Sequence, residues 1–464
     1  MKSTRESVTE RLGGLVARLQ PWPTGAHLVG GAVRDALRGE ASTDLDWVVE
    51  DPRAAALELA AAQGGSPFEM DAQRRHWRVA LPSGMLHDFA PVRQGASDLL
   101  GDLRLRDLTI NAMAVSGAGE LIDPLGGLAD LRVGVVRMTS RQALAADPVR
   151  ALRAVRFAAT LEFRLEAGTL AAVTELGRAQ AQSAARRATD PPAQDAEPPT
   201  TLPAFERVGA ELSTLMAART AAKGVQLLSQ VGMLAAYLPE LEAARGVGQG
   251  RGFHHLDVLD HSLEALNQLL HGFPDADAAL RWGTLLHDVG KPATIGRGPL
   301  GRVTFYGHDK VGAQLATRAL RRLRLETDLV ERVAALVRYH MLPLPRGERE
   351  ARRFVHRRRA LLPDLLKLMI ADREAARGPL ASAAGRAAYR VALGQVVAIM
   401  GESPPQPPLL SGNEVMTLLN LAPGPRVGEA LALVAEARAL GDVANEGQAR
   451  ELLMRYARAQ GWIR

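Results

Sequence analysis

Residues 27–50, HLVGGAVRDALRGEASTDLDWVVE, constrain the fold most, because they read in order as strand, glycine turn, helix and second strand. Side chains two apart on a strand point the same way, so Asp44 and Asp46 share one side of the second strand. Two carboxylates so placed can hold a pair of divalent ions about 4 Å apart, which aligns an attacking hydroxyl with a nucleoside triphosphate for phosphoryl or nucleotidyl transfer. Gly30 and Gly31 stand just before the helix. Without side chains there, triphosphate oxygens can approach the backbone N–H groups at the helix start. Arg34 and Asp35 follow in the first turn and join the candidate nucleotide-binding set. Taken singly, Thr-Asp-Leu-Asp also fits a solvated strand edge, and Gly-Gly an ordinary turn.

In combination, strand, GG, helix and DxD strand resemble the head of the DNA polymerase beta-like nucleotidyltransferases. DLRLRDLTINAM (102–113), IDPLGGLADL (122–131) and DPVRALRAVRFAATLEF (147–163) follow. In this order the chain resembles the class II tRNA nucleotidyltransferases, the family of bacterial CCA-adding enzymes and bacterial poly(A) polymerases. The resemblance runs from about residue 24 to the end. It implies two Mg ions on Asp44 and Asp46, a motif at Arg106, Asp107 and Asn111 that holds the incoming ribose, and a hinge at Asp123, Gly126, Gly127 and Asp130. Arg153 and Arg156 are expected to lie beside the nucleotide.

Residues 147–150 also carry an argument from chemistry. If they open a helix, Asp147 and Arg150 are three apart and share a face. Carboxylate accepts and guanidinium donates. That pair matches a base edge with an amino group beside a bare ring nitrogen, as in cytosine and adenine but not uracil or guanine. A local surface ion pair is the plainer alternative. The resembled family has Glu-Asp-x-x-Arg here, whereas this chain has Ala146 in place of the Glu.

Between Arg93 and Arg106 lies only QGASDLLGDLRL. Members of the family that add all of CCA carry about twice that length as a flexible loop that helps the site switch from CTP to ATP. The short connector resembles the CC-adding subgroup, so CC addition from CTP is expected, with a separate enzyme adding the terminal A. Full CCA synthesis and poly(A) addition, both using ATP, are alternatives. Asp88 is a candidate third carboxylate near the ions, or an edge-strand residue.

A second pattern runs H, HD, H, H, D: His261, His287-Asp288, His308, His340 and Asp372. Imidazole with carboxylate suits Mn, Ni, Fe or Zn, and six such ligands could hold one or two ions that activate water. This resembles the HD phosphohydrolase superfamily. By that resemblance the domain would act on 2',3'-cyclic ends, clearing a blocked 3' end for the head. A rival reading makes the protein chiefly such a hydrolase with an RNA-binding, non-catalytic head; the paired aspartates argue against it. Lys291 could neutralise a phosphate. His254, His255, His271 and His356 fall outside the pattern and are expected at the surface or in packing.

The chain has 464 residues and a formal charge of +6, which suits a polyanionic partner such as RNA. Only five of its 57 basic residues are lysines, a bias that favours bidentate phosphate contacts. It contains no cysteine, so no thiolate metal site is possible. No signal-like apolar core opens the sequence, and nowhere do 18 apolar residues run uninterrupted, so a cytoplasmic protein without a membrane partner is expected.

The expected class is α+β and multidomain: a nucleotidyltransferase head with a mixed sheet (1–137), an all-α neck (138–245), an HD body (246–376) and a helical tail (377–464). Residues 178–202, rich in Ala, Pro, Gln and Thr, read as a disordered insertion. Arginine runs at 318–324 and 352–359, and the helix opened by Pro423 to Gly428, are candidates for the tRNA acceptor and T arms, or else a solvated face and a plain helix start.

Overall fold

The computed structural model describes residues 7–189, 202–250, 255–298, 302–378, 382–402 and 407–463. The chain divides into two compact units, Met1–Glu242 and Ala243–Arg464. No helix among the described residues is long and apolar enough to cross a membrane.

The first unit is built on a seven-stranded sheet: β1 (His27–Val29), β2 (Asp44–Val48), β3 (Ser66–Asp71), β4 (His76–Ala80), β5 (Leu86–Ala90), β6 (Ala114–Val115) and β7 (Leu121–Ile122). Their order across the sheet is β3-β4-β5-β2-β1-β6-β7. Only β2 and β5 run parallel, and their register sets Asp46 directly opposite Asp88. Strand β2 alternates as its sequence predicts, with Leu45 and Trp47 buried and Asp44 and Asp46 on the open face. Trp47 anchors the closed face. It meets Trp22 edge-on at 4.7 Å between ring centroids, stacks on Phe89 at 6.0 Å and donates Nε1–H to His87 Nδ1 at 3.1 Å. Burial pushes the His87 pKa down to about 4, so this acceptor stays neutral.

Beyond the sheet the unit is helical apart from one short parallel pair, Val135–Val136 with Arg164–Leu165, which ties the neck to the end of the head. The neck helix Val149–Thr160 buries Ala151, Leu152, Ala154, Val155 and Ala158. Arg150, Arg153 and Arg156, each three residues apart, form a stripe on its remaining face.

The expectation of a disordered insertion at 178–202 is corrected in its first half. Residues 178–189 continue the helix Ala167–Thr189. Ala, Gln and Arg are strong helix formers, and buried Gln180 fastens the segment by donating to the Pro148 carbonyl at 3.0 Å and accepting from the Tyr237 hydroxyl at 2.7 Å. Residues 190–201 and His254 lie outside the described residues.

In the second unit, helices Val258–Gly272, Ala278–Leu286, His308–Arg322, Thr327–Tyr339 and Asp364–Ala375 carry or adjoin the six HD-pattern residues. A separate apolar cluster including Val415, Ala430, Leu453 and Ala457 holds the tail helices together.

Candidate active sites

The head cleft forms where β1 turns into the helix Gly31–Arg38. Gly30 has φ +77°, and a β-carbon there would stand 3.0 Å from Arg106 Nη1 and 3.4 Å from Asp46 Oδ2. Glycine is therefore required both by backbone conformation and by the close approach of an aspartate and an arginine. The protein around Asp46 pushes its pKa up; Arg106 opposes this, while Asp44 and Asp88 add to it. Carboxylates crowded in this way favour a cation between them. Asp44 and Asp46 thus fit the divalent ions expected of them. Asp88 sits beside them but is gripped by Arg78, with Nε to Oδ1 and Nη2 to Oδ2 both 2.6 Å. Of the two readings of Asp88, the edge strand is corrected, since β5 lies between β4 and β2 inside the sheet; as a candidate third carboxylate it stands beside Asp46 but is ion-paired with β4.

Around this floor the expected nucleotide-binding residues converge. Arg34 donates Nη1–H to Asn111 Oδ1 at 2.6 Å, and binds Asp35 through Nε and Nη2 at 2.9 Å each. Asn111 Nδ2 is buried with no hydrogen-bond partner, a donor left for a ligand oxygen. Arg153 Nε donates to Asp107 at 2.7 Å. Arg153 and Arg156 both reach Glu211, at 3.3 and 2.5 Å. Arg156 also lies 3.9 Å over the Phe157 ring. Asp107 stays ionised: burial opposes this, but Arg153, Arg150 and the Leu108 amide hold its pKa below the ordinary value.

Asp147 and Arg150 do not pair with each other. Helix Val149–Thr160 begins two residues after Asp147, and Asp147 accepts both fork nitrogens of Arg207, at 3.0 and 2.6 Å. Arg150 donates Nη1–H to the Leu105 and Ala143 carbonyls, at 3.0 and 2.5 Å. Both side chains are held by other partners.

Sequence reasoning missed Arg207 and Glu211, which stand one turn apart on the helix Phe205–Ala217. It also missed Asp102. The connector contains the helix Leu99–Arg104, and buried Asp102 accepts from Arg93 N, Arg93 Nη1 and Arg106 Nε at 2.9, 2.8 and 3.1 Å. The only signal in the sequence was its position four before Arg106.

In the second unit all six HD-pattern side chains meet. They form two groups, His261 with His287 and Asp372, and Asp288 with His308 and His340. Asp288 joins the groups: Oδ2 is 3.1 Å from His287 Nε2, and Oδ1 is 3.4 Å from His308 Nε2 and 3.6 Å from His340 Nε2. His261 Nε2 and Asp372 Oδ1 are 2.9 Å apart. The Nδ1 atoms of His287, His308 and His340 face the carbonyls of Thr284, Phe305 and Val337 at 2.7–2.8 Å. Since a carbonyl only accepts, each Nδ1 donates, which leaves Nε2 turned toward carboxylate oxygen as the atom that would ligate a metal once it carries no proton. Such a set fits one or two transition-metal ions. Burial alone would lower the His287 pKa, but Asp288 and Asp372 reverse this and hold it up at about 10.

Lys291 differs from expectation. It is buried and donates to Asp288 Oδ2 and Gln249 Oε1, both at 2.6 Å, so it orients a candidate ligand rather than offering a free charge to phosphate. The arginine run at 352–359 is also partly committed within the protein: Arg353 and Arg357 bind Glu436 at 2.9 and 2.8 Å.

A Poly A polymerase head domain matches residues 26–137, and an HD domain matches residues 253–377. An A-adding tRNA nucleotidyltransferase of Deinococcus radiodurans is 52% identical over 95% of this chain and 97% of its own length. The chain belongs to the CCA-adding tRNA nucleotidyltransferase family. A CC-adding tRNA nucleotidyltransferase of Thermus thermophilus is 42% identical over 95% of this chain and 96% of its own length. The CCA-adding enzyme of Bacillus stearothermophilus in complex with CTP has the same fold, with a TM-score of 0.63 at 20% identity over 98% of this chain and 99% of that one. The α+β class and the resemblance read from the motifs are thereby established. The named relatives divide between A and CC addition, so the nucleotide added is a separate question.

Proposed function

We propose that this chain performs one part of CCA synthesis, and that its part is the terminal adenosine. The 3'-hydroxyl oxygen of tRNA would bond to the α-phosphorus of ATP, the bond from that phosphorus to the β-phosphate bridging oxygen would break, pyrophosphate would leave, and the hydroxyl proton would pass to solvent. Asp44 and Asp46 would hold two Mg ions, which supply positive charge to the reacting oxygens. Arg106, Asp107 and Asn111 would hold ribose and phosphates, and Asp147 with Arg150 would read the amino group and ring nitrogen of the base.

The stapled connector carries the partial-synthesis half of this reading, which A and CC addition share. With Arg93 and Arg106 both bound to Asp102, it cannot easily remodel to serve two bases in turn. Asp147 and Arg150 accept either C or A on chemistry, and the 52% identity with an A-adding enzyme supports A. Addition of CC from CTP is the second reading, favoured by the short connector and by the CC-adding relatives from Thermus thermophilus and Geobacter sulfurreducens. The HD site is proposed to hydrolyse phosphate esters, including 2',3'-cyclic ends, with one or two transition-metal ions. The protein would work in the cytoplasm on the acceptor and T arms of tRNA, after a separate CC-adding enzyme.

The test extends tRNA transcripts ending before CCA or after CC, with ATP, CTP or both, resolving products to single nucleotides. One residue added from ATP to the CC-ending transcript, and none to the other, supports A addition. Two residues from CTP on the shorter transcript overturn it in favour of CC addition; three residues, or a long tail, overturn partial synthesis altogether. Asp44→Ala or Asp46→Ala should abolish addition.

A further inference from the structure

We propose that Arg207 is a specificity-determining positioning residue, which fixes the Asp147 carboxylate so that one acceptor site is left, shaped for a base amino group. The inference rests on the reading of Asp147 and Arg150 as the base-facing pair. A carboxylate offers two lone pairs on each oxygen. Oδ1 of Asp147 accepts from Arg207 Nη1 at 3.0 Å and from the Val149 amide at 3.1 Å, which fills it. Oδ2 accepts from Arg207 Nη2 at 2.6 Å and retains one lone pair. A single N–H from cytosine N4 or adenine N6 would complete it. The carbonyl oxygens that uracil and guanine present at the same place bring lone pair against lone pair.

The fork matters as well as the charge, because two parallel N–H bonds set the plane of the carboxylate. Burial raises the Asp147 pKa, but Arg207, the Val149 amide and Arg150 outweigh this and keep it below the ordinary value. The carboxylate therefore accepts and does not donate. Ala146, which stands where the resembled family carries Glu, has no polar side chain to help hold the adjacent carboxylate. Arg207 supplies that hold from another helix. One turn on, Glu211 engages Arg153 and Arg156. A single face of the helix Phe205–Ala217 thus sets the geometry of the base-facing end and of the arginine stripe.

The experiment measures single-nucleotide addition from ATP, CTP, UTP and GTP by the full-length protein and by Arg207→Ala, Arg207→Lys and Asp147→Ala. Loss of a charge-assisted fork is expected to lower the kcat/KM ratio of the accepted nucleotide over UTP by about tenfold or more in Arg207→Ala. Higher KM for the accepted nucleotide should account for most of the change, with partial recovery in Arg207→Lys. The ratio is read within the active fraction, so partial unfolding does not alter it. Wild-type selectivity in Arg207→Ala, with selectivity lost in Asp147→Ala, would overturn the role of Arg207 alone. Wild-type selectivity in Asp147→Ala would overturn the base-reading assignment beneath it.

Discussion

Gly290 is where the HD site is most exposed to a single-atom change. A β-carbon there would stand 2.1 Å from the His308 carbonyl oxygen and 2.6 Å from the Gly312 amide nitrogen. Both are backbone atoms and cannot rotate away, so the segment bearing His287 and Asp288 must retreat from the helix His308–Arg322 by about 1 Å to regain ordinary contact. A metal constellation tolerates displacement of only about 0.5 Å. Asp288 Oδ1 and His308 Nε2, now 3.4 Å apart, would leave their shared geometry. Gly290→Ala is expected to destabilise the second unit by about 1–3 kcal/mol through overpacking, which for a unit of this size is roughly 2–4 °C of Tm per kcal/mol. It should also lower bound metal well below that of the unaltered protein. Elemental analysis after incubation with Mn²⁺ or Ni²⁺ measures the second effect and thermal unfolding the first. Nucleotide addition serves as an internal control, because Asp44 and Asp46 belong to the other unit. A Gly290→Ala protein with unchanged Tm and unchanged metal content would refute the reasoning.

Gly30→Ala places a side chain at φ +77° and 3.0 Å from Arg106 Nη1, which should cost about 1–3 kcal/mol in backbone strain and slow single-turnover addition by on the order of 10²-fold; a wild-type rate would mean that nothing approaches this turn. Glu211→Ala removes the acceptor shared by Arg153 and Arg156 and should lower stability in urea by about 1–3 kcal/mol, with Glu211→Gln falling between; an unchanged urea midpoint would show that solvent replaces the carboxylate.

The candidate ligand residues were legible because the proposed chemistry demands them at fixed spacing. Asp44 and Asp46 alternate on one strand, and the six HD-pattern residues converge as expected. The partners that aim them were not, because their contacts span long separations without any pattern. Arg207 meets Asp147 across 60 residues, and Glu211 meets Arg156 across 55. The helix at 178–189 was missed for a related reason. Poor in bulky apolar residues, it is fastened by a buried glutamine among other contacts, and a composition argument cannot see a tertiary hydrogen bond. The pairing of Lys291 and of the arginines at 353 and 357 was hidden for the same reason. These candidates for phosphate contact are paired with Asp288 and Glu436 within the protein.

The two sites also orient their working atoms by different means, with different consequences for how each can change. In the HD cluster, His287 and His340 each follow directly on a helix, and their Nδ1–H groups donate to the carbonyls of Thr284 and Val337 in those helices' last turns. These carbonyls are among those a helix end leaves without partners. One local bond therefore satisfies the helix end and turns Nε2 inward; His308, the first residue of its helix, instead turns Nδ1 to the Phe305 carbonyl of the preceding turn. Ligand direction is written into three short segments and needs only the close packing that Gly290 and Gly312 permit. In the first unit, by contrast, the direction of Asp147 depends on Arg207 from a distant helix. On the proposed role of Arg207, substitutions on the Asp147-facing side of Phe205–Ala217 would alter which base is admitted while leaving Asp44, Asp46 and the HD cluster intact. Nucleotide choice would then be open to change by few substitutions, and relatives that add A or CC are what such an arrangement would yield.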